Sequence, residues 1–193
     1  CFDAVVVQGL VWFWYGDGED SHPQAIPTVP DIGRGDTYTV DYVVDLPYDQ
    51  SYLIENVIDV AHIHIAHHGI RGGGNRELAL PLDFTLEQNS VQGITAQFKS
   101  IGLPGDAVSP LKAARVQFVA PNLIHYISEY KDARLSSGLA LYSLPLGQKR
   151  CRLLYRKYSN FFSRRERRKP RWLEHYTQNT ILQQDMAIII GQH

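Results

Sequence analysis

Four of the eight histidines in this 193-residue chain fall between His62 and His68. Glu55, Asn56 and Asp59 stand just ahead of them. Imidazole suits iron, zinc and copper, and two imidazoles with one carboxylate on one side of an octahedron leave positions open for dioxygen. Two histidine pairs compete for such a site. His62 and His67 lie five residues apart, which is wrong for one helical face but converges if a helix ends near His64 and the chain turns. His64 and His68 lie four apart and would share a face of an unbroken helix. Spacing alone leaves both open. A zinc hydrolase is disfavoured because no H-E-x-x-H occurs. An oxygen ligand has a candidate far along the chain, in I-L-Q-Q-D-M-A-I-I-I-G-Q, where helical spacing puts Asp185 on a face with Ile181 and Ile188. A carboxylate among isoleucines is costly to bury unless it is paired or metal-bound; its alternative is to face solvent.

The elements that must position these residues follow from periodicity. Leu53, Ile54, Val57, Ile58 and Ala61 are spaced as an amphipathic helix over residues 52–61, which would set Glu55, Asp59 and His62 on one face. Ahead of it, residues 5–15 are β-branched and aromatic and predict one strand, closed by a turn at Gly16 to Gly18. Residues 21–36, with Pro23, Pro27 and Pro30, read as an extended connector, and residues 37–46 as a strand ended by Pro47. After His68, G-I-R-G-G-G-N-R reads as a flexible loop; no G-K-[ST] follows to make it a phosphate cradle. From Leu82 the period becomes two. Strands are predicted at Phe84 to Gln88, Gly93 to Lys99, Ala114 to Ala120, His125 to Glu129, Ser137 to Leu144 and Cys151 to Tyr158. Short turns such as Pro121-Asn122 and Gly147-Gln148 give an antiparallel meander, and residues 101–110 form a loop fit to border a cavity. Residues 164–171 hold six basic side chains in eight positions. A solvated face is the simplest reading of that run; an anionic partner, substrate carboxylates or a membrane surface are the others. Pro170 then opens a final helix that carries Asp185.

Bulk composition bounds the class. A chain of 193 residues with 44% hydrophobic and 20% charged residues fits one sizeable globular domain. The formal net charge of −1 gives no reason to expect nucleic acid as a partner. No apolar run approaches the ~20 residues of a membrane span, and no secretory leader is visible. Cys1 and Cys151 make no ligand pair and suggest no disulfide framework, so an intracellular, reducing compartment such as the cytoplasm is expected.

N-V-I-D-V-A-H-I-H-I-A-H-H-G resembles the D-x-x-H-x-x-x-x-H iron motif of Rieske-type non-haem iron oxygenases, through Asp59, His62 and His67. L-P-Y-D-Q-S-Y-L-I-E-N-V-I-D and L-Q-Q-D-M-A-I-I-I-G-Q are similar to the branch of pheophorbide a oxygenase, chlorophyllide oxygenases and cell-death suppressor proteins. The likeness is specific at residues 46–69 and 181–192 and weak in the strands between. It implies an α+β, helix-grip (START-like) catalytic domain, with a curved antiparallel sheet and a long C-terminal helix. It implies mononuclear Fe(II) held by His62, His67 and Asp185, with His64 and His68 outside the ligand set. Asp59 would hydrogen-bond a ligand histidine and link it to an electron-donating cluster, and Asn56 would line the site without ligating. The substrates implied are dioxygen and a large apolar ring, a chlorophyll-type tetrapyrrole. Electrons would come from a ferredoxin or reductase, and a homotrimer peripheral to a photosynthetic membrane would fit the branch. The family's [2Fe–2S] pattern, C-x-H…C-x-x-H, does not occur here. Residues 1–30 are therefore expected to be the exit strand and connector from an N-terminal Rieske domain, and 31–193 a catalytic domain truncated at its C-terminus. Alone, such a fragment would bind iron without turning over. The rivals are a Rieske oxygenase for a smaller aromatic or a demethylation substrate, and a metal-free helix-grip module for a hydrophobic ligand.

Overall fold

The computed structural model describes residues 3–14, 26–70, 74–100 and 111–191. Its main sheet has seven strands: β3 (Tyr38–Leu46), β4 (Leu82–Ser90), β5 (Gly93–Ser100), β6 (Leu111–Val119), β7 (Leu123–Tyr130), β8 (Ser137–Pro145) and β9 (Cys151–Ser159). Their order is β3-β9-β8-β7-β6-β5-β4, and every pairing is antiparallel. Strands β4 to β9 make the meander that their period-two pattern predicts, and β3 closes it by pairing with β9. This order has a consequence for the histidines. Strands β3 and β4 are consecutive in the chain but sit at opposite edges of the sheet. The segment joining them must cross a whole face, and it contains α1 (Gln50–Ile58) and all four clustered histidines.

Alternation along each strand divides the core in two. In β8, Leu139 and Leu141 face the front, against Leu53 of α1 and Leu182 and Ile189 of α4 (Arg171–Gly191). Ala140 and Tyr142 face the back, against Val29, Ile32 and Trp12. Leu53 is fully buried beneath α1, and a side chain of that kind contributes about 1.5–3 kcal/mol by leaving water. Asp49 starts α1 by accepting a hydrogen bond from Ser51 N at 3.0 Å. Gln50 ties the helix to the sheet by donating to the Ser143 carbonyl at 3.0 Å.

The back differs from expectation in two places. Residues 5–15 do not form one strand: β1 (Ala4–Val7) and β2 (Leu10–Phe13) pair as a hairpin around Gln8 and Gly9, whose φ values are +53° and +76°. Two consecutive positive φ angles make the two-residue turn whose twist matches paired strands, and the unbroken apolar pattern hides it. Residues 26–36 are not a free connector either, because Val29 and Ile32 are buried on the sheet. Gln8 clasps that segment: its Nε2 donates to the Val29 and Ile32 carbonyls at 2.6 and 2.8 Å, and its Oε1 accepts from Val29 N at 3.0 Å. Arg156 adds the last link, donating two hydrogen bonds to the Asp41 carboxylate at 2.7 and 2.8 Å and a third to the Gln8 carbonyl. The turn predicted at residues 16–18, residues 71–73 of the predicted glycine-rich loop and the loop at 101–110 lie outside the described residues.

The basic run opens with a single turn, α3 (Arg164–Arg167), started by a reciprocal capping box between Ser163 and Glu166. Arg167 lies over the Tyr38 ring, 5.5 Å from its centre. Arg164 and Arg168 are exposed.

Candidate metal centre

The helix predicted over 52–61 ends at Ile58, and Asp59 is the residue that ends it. Asp59 has φ −73° and ψ 93°, outside the helical region, and its carboxylate accepts from Ala61 N at 2.9 Å to start the 3₁₀ turn Val60–His62. Aspartate favours this local capping over a helix interior. The shared face expected for Glu55, Asp59 and His62 is therefore broken at its middle member. A four-residue helix, α2 (Ile63–Ala66), follows, and His67 terminates it with φ −103° and ψ 28°. Two short turns in place of one helix bring residues five apart together. The His62 and His67 rings stand edge to face with centres 5.3 Å apart.

Asp185 reaches the same point from α4. Its Oδ1 lies 3.2 Å from His67 Nε2 and 3.6 Å from His62 Nε2. All three ligand atoms fall within 4.8 Å of one another. Ligands bound at about 2.0–2.2 Å and at right angles to each other sit roughly 3 Å apart, so the two separations from Asp185 Oδ1, 3.2 and 3.6 Å, approach those of cis positions around one ion. Asp185 Oδ1 is buried and has no hydrogen-bond partner, although two imidazole nitrogens face it. Burial raises the Asp185 pKa above the usual carboxylate range, while His67, His62 and a hydrogen bond from Asn56 oppose that rise. An orphaned carboxylate oxygen facing two ring nitrogens makes a donor set whose residues fit a first-row metal ion.

The far sides of both rings are occupied. His62 Nδ1 donates to the main-chain carbonyl of Asp59, and His67 Nδ1 lies 3.1 Å from Gln184 Oε1. Each contact leaves an Nε2 lone pair directed at the centre. His64 and His68 are turned to another task. His64 Nδ1 accepts from Asn75 N at 3.2 Å and His68 Nδ1 from Arg76 N at 3.1 Å, so both pin the returning chain. That return is tight: a side chain at Gly74 would meet the His64 Cα at 2.3 Å.

His62, His67, Asp185 and Asn56 are thus brought together. Asp59 is adjacent but oriented otherwise than expected, for its carboxylate is 56% exposed and 4.0 Å from His62 Nδ1, and its carbonyl takes the hydrogen bond. The predicted face of α4 is also rotated by one residue. Leu182, Asp185 and Ile189 are buried, whereas Ile188 is exposed. Gln184 was not singled out by sequence; a polar residue beside a candidate ligand carries no local signal until the tertiary fold brings His67 to it.

Residues 118–193 match the family model described as pheophorbide a oxygenase, a span that holds Asp185 but neither histidine. The chain is 30% identical to the chloroplastic pheophorbide a oxygenase of Arabidopsis thaliana, over 99% of its own length and 36% of that protein. It is 28% identical to the chloroplastic protein TIC 55 of the same plant, over 96% of its length and 34% of that protein. The chain therefore spans about a third of these relatives. A crystal structure of dicamba monooxygenase superposes with a TM-score of 0.68 at 15% identity, covering 97% of this chain and 57% of that one. At that identity the likeness concerns the fold, and it agrees with the helix-grip expectation. The family resemblance read from the sequence is borne out. Among the described residues no helix is long and apolar enough to cross a membrane.

Proposed function

We propose that this chain, which carries a pheophorbide a oxygenase domain over residues 118–193, is the catalytic part of a Rieske-type oxygenase that inserts oxygen into a large apolar ring, a chlorophyll-type tetrapyrrole. One observation carries the reading: two imidazole Nε2 atoms and the unpartnered Asp185 Oδ1 converge on one point. A metal-free binding module gives no reason for two ring nitrogens to converge on one buried carboxylate oxygen.

His62, His67 and Asp185 are the ligand set in this reading, with Fe(II) as the ion. When bound, iron supplies the activation of dioxygen, and a [2Fe–2S] cluster in an N-terminal domain supplies electrons drawn from a ferredoxin or reductase. The chain's own side chains do the rest. The Asp59 carbonyl holds His62 in the Nδ1–H tautomer, and Asn56 orients the Asp185 carboxylate. The exposed Asp59 carboxylate, beside His62, is the contact toward the cluster. A cavity of about 350 Å³ on the sheet is walled in part by Tyr126, Leu139, Tyr155 and Phe162, and none of His62, His67 and Asp185 lines it. Residues 1–30 serve as the exit from the cluster domain and 31–193 as the catalytic domain, in a homotrimer. The relatives' chloroplast names support a plastid location, and a place peripheral to a photosynthetic membrane belongs to the same reading.

The test uses the intact protein with its upstream domain, reconstituted anaerobically with Fe(II) and supplied with reduced ferredoxin, pheophorbide a and ¹⁸O₂. The expected result is a product whose mass increases by labelled oxygen. Unlabelled or unchanged pheophorbide, beside oxidation of a smaller aromatic, would move the substrate to the rival oxygenase class. Ring binding without iron uptake would leave only the binding module.

A further inference from the structure

We infer that Gln184 is the positioning residue that fixes the tautomer and orientation of His67 for metal ligation; this rests on the ligand set proposed above. A neutral imidazole has one donor nitrogen and one acceptor nitrogen. His67 Nδ1 lies 3.1 Å from Gln184 Oε1, and its Nε2 lies 3.2 Å from Asp185 Oδ1. A carbonyl oxygen only accepts, so Oε1 requires the proton on Nδ1 and leaves the Nε2 lone pair toward the metal position. The opposite arrangement, with the Gln184 NH₂ turned to the ring, would put the proton on Nε2 and close the site. His67 is only 3% exposed, so bulk water is a poor substitute for this contact.

The two ligand histidines differ here. His62 draws its acceptor from the main-chain carbonyl of Asp59, which no side-chain substitution removes. His67 depends on a single replaceable amide. Gln184 and Asp185 are consecutive on α4, which Leu182 and Ile189 anchor in the core. One helical register therefore delivers both the ligand oxygen and the acceptor that aims the facing ring.

The experiment compares wild type with Gln184→Leu and Gln184→Glu. Anaerobic Co(II) titration gives affinity and the visible ligand-field spectrum. Long-range ¹H–¹⁵N imidazole correlation of the metal-free protein, held at a pH where His67 is neutral, gives the tautomer. Gln184→Leu keeps bulk but removes the acceptor, and outer contacts of this kind are worth about 10–100-fold in metal affinity. That loss is expected, with an altered Co(II) spectrum and His67 leaving the Nδ1–H form. Gln184→Glu retains an accepting oxygen, so it should preserve the Nδ1–H form and bind at least as tightly as wild type. Leucine binding cobalt like wild type, or glutamate binding as weakly as leucine, would overturn the inference. Wild type taking up no cobalt would instead sink the ligand set, and the tautomer measurement would still decide the role of Gln184.

Discussion

Two buried histidines lie on opposite faces of the same sheet. On the back, His125 Nε2 and the Tyr158 hydroxyl meet at 2.8 Å, and burial pushes the His125 pKa down to about 4. On the front, His67 is buried as deeply, yet its Nε2 faces a carboxylate oxygen that has no hydrogen-bond partner. The back pair meets at the His125 ring nitrogen, which has its partner. The front also holds the Tyr48 hydroxyl, another buried polar atom without a partner. At Asp185 Oδ1, however, two ring nitrogens converge on such an atom, and that convergence is where a ligand belongs. A buried histidine alone therefore says little about function; the state of the polar atom opposite it says much more.

The contrast breaks first at Asp185. Asp185→Asn keeps the shape and removes the charge, so metal affinity should fall by more than about 100-fold, beyond the usual loss from an outer contact. The metal-free chain should melt no lower than wild type, because burial already disfavours this carboxylate in its charged form. Joint loss of metal binding and of thermal stability would make Asp185 a structural residue like His125.

Acid titration separates the faces by sign. His125 is neutral when folded but protonates near its ordinary pKa of 6.5 once unfolded. The unfolded chain binds more protons between those values, so this contribution is full above about pH 6.5 and is lost as pH falls toward 4. Asp185, whose folded pKa is raised, contributes in the opposite sense over the acid range. Urea midpoints at pH 7 and 4.5 should show a loss of about 2–3 kcal/mol from His125. His125→Phe should remove most of that dependence; an unchanged pH slope would contradict the closed-pair account.

Tyr158→Phe tests the same pair with less force. It leaves His125 Nε2 without its partner and should cost about 1–3 kcal/mol of stability, with cobalt affinity unchanged. A fall in metal affinity would mean that the faces are not independent. The smallest effect on the metal is expected at Asp59→Asn, because the His62 ring bonds the main-chain carbonyl of Asp59. Iron loading should change by less than about tenfold, at or below the low end of outer-contact effects, while turnover of the intact enzyme falls much further. Full loading with normal turnover would reduce Asp59 to a capping residue.

Period-two alternation made the meander legible, since each strand from β5 to β9 sets side chains into an apolar core, while β4 at the edge is almost wholly exposed. The His62, His67 and Asp185 set was legible through motif resemblance, not spacing, because five residues is not a helical interval. What stayed hidden depended on backbone sign or distant partners. Positive φ at Gln8 and Gly9 converts an apolar run into a hairpin. Asp59 ends α1 by capping the following turn, a local contest that apolar periodicity does not register. Gln184 and the Gln8–Arg156 clasp join residues 117 and 148 positions apart, beyond any local pattern.

Iron-edge X-ray absorption on the anaerobically Fe(II)-loaded chain, beside His67→Ala, tests the central claim most directly. Wild type should hold one iron, with imidazole scattering from two rings and a carboxylate oxygen at about 2.0–2.2 Å, in the range of N and O ligands to first-row ions. The variant should lose one ring from that signal and most of its iron. A wild-type spectrum of oxygen neighbours alone, or one that His67→Ala leaves unchanged, would contradict the assignment of His62, His67 and Asp185 as a metal centre.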